Sequence, residues 1–280
     1  MEQVMRDELF SLIRSFPDRY KAKYHPKTNW VEPLIKVADA SDPLFGELKT
    51  IISPTHALPG ELVGGARSVI AWYVPFDPSI AESNIQGEES SLEWDYAYVE
   101  TNDMLNALSK EVHDLINALG YEASDIPATY NYDPVGLKSD WSHRSAAFIA
   151  GLGTFGINNM LITEKGCCGR YGSVITTMPL EADVRPEREF CLFKYNGSCG
   201  ACIERCPINA YTLDPAKAVK VSGSQLELGG AAEYGVFYDR QLCNEQIFKF
   251  VVHFENGDGD TCGKCMVGMP CSQQAPSLNT

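Results

Sequence analysis

The chain has 280 residues, 44% hydrophobic and 21% charged, the proportions of a globular protein able to bury a large core as one domain or two. Thirty-seven acidic residues against 23 basic ones give a formal net charge of −14 with no basic run to offset it. This argues against a nucleic-acid partner, because affinity for phosphates comes from Lys and Arg displacing counterions. No apolar run reaches the roughly 18 residues of a membrane span, and the N-terminus lacks the basic-then-apolar order of an export signal. The ten cysteines are therefore expected to be reduced thiols in a cytoplasmic protein.

In chain order, Val4, Met5, Leu9, Leu12, Ile13 and Phe16 fall at helical spacing and predict a first helix that ends before Pro17. Residues 30–52 mix short apolar pieces with turn formers and read as irregular loop plus short helix. The run Ala66–Val74, stopped by Pro75, predicts a buried strand. Residues 77–93 are polar and read as an exposed connection or lid. Met104, Leu105, Leu108, Val112, Leu115, Ile116 and Leu119 predict a long helix over 95–119, stopped by Gly120. Ser142 is placed to cap a further helix that ends near Gly151.

Gly151, Gly153 and Gly156 stand in G-x-G-x-x-G order, but a helical pattern precedes them and a strand-like piece follows. That order is the reverse of a nicotinamide fingerprint. The turn reads either as a helix C-cap and tight turn or as backbone brought close to a large flat ligand. Gly172–Met178 predicts another strand.

The C-terminal third carries the densest signal. Cys199, Cys202 and Cys206-Pro207 form C-x2-C-x3-C-P, the core of a ferredoxin-type run whose last cysteine serves a second cluster. With Cys191 upstream and Cys243, Cys262, Cys265 and Cys271 downstream, eight thiolates suffice for two [4Fe–4S] clusters. By analogy with that arrangement, Cys191, Cys199, Cys202 and Cys271 are assigned to one cluster, and Cys206, Cys243, Cys262 and Cys265 to the other. Structural zinc would use the two C-x2-C pairs but leaves Cys206-Pro207 unexplained, and disulfides suit small secreted domains rather than this chain. Cys167 and Cys168 remain over, as a redox switch or soft-metal pair or as unligated thiols.

Asp140, His143 and Arg144 lie within five residues. Asp140 or His143 can deliver a proton and Arg144 can hold an anion; equally, such residues gather at helix starts as caps and ion pairs. Arg170 can meet a cofactor phosphate or amide, or a surface carboxylate.

The segment RSAAFIAGLGTFGINNMLIT (144–163), the strand GSVITT and the cysteine array with its isolated Cys243 together resemble the iron–sulfur proteins of the epoxyqueuosine reductase-like family. A more distant similarity runs to corrinoid-dependent reductive dehalogenases. The resemblance implies an α/β fold, with a nitroreductase-like domain over 1–185 that holds cofactor and substrate and a two-cluster ferredoxin-like domain over 186–280. It implies an oxidoreductase that passes electrons from a donor such as ferredoxin or flavodoxin through two clusters to a corrinoid (cobalamin), where a small-molecule substrate is reduced. It also implies a carboxylic acid as proton donor, for which Asp133 and Asp140 are the candidates; Arg144, Gly151, Gly153, Gly156 and Arg170 are the candidate cofactor-binding residues read from the sequence itself. The rival reading is a non-catalytic two-cluster electron carrier that docks on a partner enzyme through its acidic surface.

Overall fold

The computed structural model describes residues 2–214, 216 and 231–277. Met1 and the remaining parts of the 186–280 segment lie outside the described residues. The first part contains α1 (Glu2–Tyr24), β1 (Leu34–Asp39), α2 (Leu44–Ile51), α3 (Pro59–Leu62), β2 (Ser68–Pro75), α4 (Pro78–Ser83), α5 (Leu92–Ala118), α6 (His143–Ile149), β3 (Gly153–Phe155), β4 (Leu161–Thr163) and β5 (Gly169–Thr176). The second contains α7 (Leu192–Asn196), α8 (Ala201–Glu204), β6 (Tyr211–Leu213), β7 (Val236–Tyr238), α9 (Arg240–Lys249), β8 (Val252–Phe254) and β9 (Gly257–Gly259). Among the described residues no helix is long and apolar enough to cross a membrane.

An antiparallel sheet in the order β1-β2-β5 forms the centre. All eight residues of β2 are buried, which explains why its sequence reads as an unbroken apolar run. Successive side chains leave a strand on opposite faces. Ile70, Trp72 and Val74 accordingly pack with α1 and α5, while Val69, Ala71 and Tyr73 pack with α2 and α6. The sheet is thus the middle of three layers, and both faces are covered by helices. This is the mixed helix-and-sheet class the sequence predicts.

Three segments differ from their sequence reading. α1 continues through Pro17 to Tyr24, although proline removes one helical hydrogen bond. Phe16 is buried, and Tyr20 packs against Phe16, Tyr24 and Trp30, so aromatic contacts on one face outweigh the lost bond. β1 lies within the stretch read as irregular. As an edge strand that carries Lys36 and Asp39, it shows too little alternation to be legible.

The third is 77–93, which is clamped rather than loose. Asn84 is fully buried, its side-chain N–H donates to Cys262 O at 2.8 Å, and its Oδ1 accepts from Ser91 N at 2.9 Å. Lys264 Nζ donates to the carbonyls of Asn84 and Gln86, and Arg205 donates to Ile85 O. The connection therefore tethers the helical layer to the cysteine-bearing segment.

Candidate functional site

The eight cysteines gather in two groups. Cys191, Cys199, Cys202 and Cys271 line one cavity together with Gly156 and Asn158. The seven-residue gap between Cys191 and Cys199 is taken up by α7, which Cys191 precedes, and by the left-handed Gly197 (φ +76°) that turns the chain back. Gly197 can adopt that conformation because it lacks a Cβ.

Burial pushes the Cys202 thiol up, and Cys265, Cys191, Cys271 and Cys199 add to the effect. In the second group burial raises Cys265 to about 12, with Cys243, Cys262 and Cys206 as its charged neighbours. Burial likewise raises Cys262 and Cys243. Amide and phenol donors oppose this: N–H groups of Lys194, Ile157 and Phe193 point at Cys191, Ala210 N donates to Cys206 Sγ at 3.2 Å, and Tyr211 Oη donates to Cys265 Sγ at 3.7 Å. Such donors suit sulfurs that carry negative charge. Among the described residues no three His, Cys, Asp or Glu side chains close on a point that one metal ion would fill.

The turn after α6 packs mostly against the protein itself. A Cβ on Gly151 (φ +93°) would lie 2.7 Å from Val184 O, and one on Gly153 would lie 1.9 Å from Ile162 O. Gly151 seals the helix end against the following segment, and Gly153 lets the β3–β4 hairpin close. Gly156 alone of the three lines the cysteine cavity.

Arg144 joins the two parts of the molecule. Its guanidinium, half-buried, donates to Met160 Sδ at 3.3 Å and lies 6.0 Å from the Phe155 ring. Burial lowers its pKa, while Tyr171, Tyr238 and Tyr211 favour its charge. Tyr211 and Tyr238 stack at 5.0 Å and bond to Cys265 and Cys243 respectively, so they stand between this cation and the second cysteine group. Arg170 lies 4.3 Å over the Tyr98 ring. Asp260, which accepts from Tyr98, is raised by burial and lowered in part by Arg170.

The three predicted proton donors sit in different settings. Asp133 closes an exposed turn, and N–H groups of Gly136 and Val135 hold its carboxyl below the usual range. Asp140 accepts from Thr55 Oγ1 at 2.6 Å. His143 is buried with both nitrogens engaged. Trp141 Nε1 donates to Ser173 Oγ at 3.0 Å, so the serine hydroxyl is free to donate to His143 Nδ1 at 2.8 Å, and His143 Nε2–H donates to Pro127 O at 3.0 Å. That network fixes a neutral tautomer, and burial takes its pKa down to about 4.

His56, which the sequence gave no reason to select, has the complementary part. It is fully buried, donates from Nδ1 to Ala57 O, accepts Ser142 N–H at 3.1 Å and stacks on Trp141. Its pKa is also lowered by burial to about 4. The two imidazoles grip the start of α6 and thereby position Arg144.

A histidine whose folded pKa lies below its ordinary value near 6.5 contributes stability that is complete above that value and declines as pH falls towards 4. Between pH 7.5 and pH 5 the cost is about 2 kcal/mol for each ring. Denaturation midpoints of wild type and H143Q should converge as pH falls over this range; parallel curves would mean that His143 is not held neutral.

This layered α/β core is the fold of epoxyqueuosine reductases and reductive dehalogenases. An epoxyqueuosine reductase crystallised with an epoxyqueuosine-modified tRNA-Tyr stem loop superposes with a TM-score of 0.56 at 16% identity, covering 99% of this chain and 68% of that one. A catabolic reductive dehalogenase in complex with 3-bromo-4-hydroxybenzoic acid gives a TM-score of 0.56 at 15% identity, over 87% of this chain and 30% of that one. In sequence, the chain is 32% identical over 168 residues to an epoxyqueuosine reductase of Leadbetterella byssophila, covering 58% of this chain. It spans about half (49%) of that relative's length. No protein-family model matches. The chain is thus similar to epoxyqueuosine reductases in sequence over part of its length and in fold over nearly all of it. The tRNA stem loop belongs to that neighbour, and it sits against the expectation, drawn from the net charge, that a nucleic-acid partner is unlikely.

Proposed function

We propose that the protein is an epoxyqueuosine reductase-like iron–sulfur oxidoreductase, in which two [4Fe–4S] clusters feed electrons to a reducible substrate at the α/β layer. The observation that carries this reading is the sorting of eight cysteines into two groups of four, one of them lining a single cavity. Buried thiolates are costly unless a soft metal centre compensates their charge, and amide donors at the sulfurs fit a cluster. Residues 186–280 form the electron-transfer part and 1–185 the part that holds cofactor and substrate. A donor such as ferredoxin or flavodoxin supplies electrons one at a time.

The acceptor implied by the family is a corrinoid, which would supply a strongly reducing centre beside the clusters. Arg144 fits its amide and phosphate groups, since it offers N–H donors beside the tyrosine pair and the second cysteine group, and Arg170, over the Tyr98 ring, is the second candidate. The neighbouring glycines contribute less than the sequence suggests, because Gly151 and Gly153 are in contact with protein backbone. Asp140 and Asp133 are the candidate proton donors; His143 serves to hold α6. The carrier alternative is less favoured, because the relatives are reductases.

Anaerobically purified protein is expected to hold about eight irons and eight sulfides per chain, and to take up cobalamin with a changed visible spectrum. Iron far below that level rejects the clusters, and failure to bind cobalamin in large excess rejects the corrinoid. With the reduced protein, consumption of small halogenated or epoxide substrates set against an epoxyqueuosine-modified tRNA stem loop decides the substrate class.

A further inference from the structure

The peptide groups of residues 84–88, in the connection between α4 and α5, converge on the segments that carry the second cysteine group. Arg205, beside Cys206, donates to Ile85 O at 2.7 Å. Gln246, on α9 with Cys243 and 5% exposed, donates to Glu88 O at 3.2 Å. Lys264, between Cys262 and Cys265 and 2% exposed, donates to Asn84 O at 2.9 Å and to Gln86 O at 2.7 Å. In the opposite direction the buried Asn84 amide donates to Cys262 O at 2.8 Å, while its Oδ1 accepts from the N–H of Ser91, the N-cap of α5. One short turn of the α/β layer therefore bonds to every segment from which Cys206, Cys243, Cys262 and Cys265 come.

We infer that the 84–88 turn is a template for the second cluster, and that Asn84 and Gln246 are positioning residues that hold its ligand segments in register with one another. The inference rests on the two-cluster reading. Cys206, Cys243 and the Cys262/Cys265 pair are far apart in the chain, and gathering them costs loop-closure entropy. Segments already fixed by buried hydrogen bonds leave less of that cost to be offset by metal binding, so the cluster is held more tightly and released more slowly. Asn84 and Gln246 are shut away from water, so removing either leaves its backbone partner unpaired. The coupling is reciprocal: a turn that favours the cluster is ordered by the cluster to the same extent. The second cluster is thus shared between the two parts of the chain, with ligands from 186–280 and their alignment from 1–185.

The test uses the whole, anaerobically prepared protein and measures iron release to a ferrous chelator, with electron paramagnetic resonance of what remains. N84A and Q246A should release about four of eight irons roughly tenfold faster than wild type, losing the signal that C206A lacks, and keep the others at the wild-type rate. N84D keeps the acceptor for Ser91 N but loses the donor to Cys262 O, so it should match N84A; wild-type release from N84D would place the effect in the cap of α5 and overturn the inference. Conversely, hydrogen exchange at the amides of 84–91 should rise in C206A and stay at the wild-type rate in C202A. Equal protection of that turn in C206A and wild type overturns the inference, as does faster release of all the iron in N84A, which reports general loosening. Wild-type protein without cluster signals fails the two-cluster reading instead, before any variant is compared.

Discussion

Replacing Cys202 by alanine is expected to remove about four of the eight irons, with the matching sulfide, and to leave the second cluster in place. Cys202 is buried in the first cavity, where Cys191, Cys199 and Cys271 are its partners. Met269 also lines that cavity, but its neutral thioether does not replace a thiolate. C206A should remove a similar share from the other group, and the double variant nearly all of it. A substantial fall in melting temperature accompanies each loss, because a centre bound only by the folded chain adds its binding free energy to stability. Metal and sulfide analysis with electron paramagnetic resonance checks this. Full iron in C202A removes Cys202 from the ligand set, and one zinc lost in place of iron would make the site a zinc knuckle.

The second large effect is structural. Gly166→Ala is expected to destabilise the protein by roughly 3 kcal/mol or more. Two costs combine: a left-handed φ of +76°, and a Cβ 2.3 Å from Ser272 O and 2.5 Å from Gln273 N, both backbone atoms that cannot swing aside. The segment around Cys271 would be pushed away from Cys167 and Cys168, so iron in the first group should fall along with the melting temperature. Gly120→Ala separates the two costs. Its φ is +87°, but nothing lies within 4 Å of the added atom, so it should cost only about 1–2 kcal/mol and no iron. Equal effects in the two variants would show that backbone strain alone, and not the close approach to Ser272, matters at Gly166.

Much of the framework was legible in the residues. The apolar run of β2 announced a strand buried on both faces, the spacing from Met104 to Leu119 announced α5, and Ser142 caps α6 as expected, its hydroxyl accepting from Ser145 N. These features were readable because each depends on local periodicity and on capping chemistry, which act over a few residues. The continuation of α1 past Pro17 and the edge strand β1 were not, because contacts with distant elements decide them. The residue types and tight spacings of the cysteine array likewise support the proposal of soft-metal chemistry without any coordinates.

What the chain order left open was decided in three dimensions. The gap after Cys191 became a helical turn that returns Cys199 to the same cavity, and Gly151 and Gly153 proved to face protein backbone. His143 turned from an apparent acid into a neutral clamp, since its protonation depends on Ser173 and Pro127, 30 and 16 residues away. His56 acquired its role through neighbours that no spacing connects. Residue types and their spacing set which chemistry the side chains can perform and the local elements that carry them. Which groups meet and which are shut away from water came from the packed fold, because burial and long-range contact set the charge state and reach of a side chain.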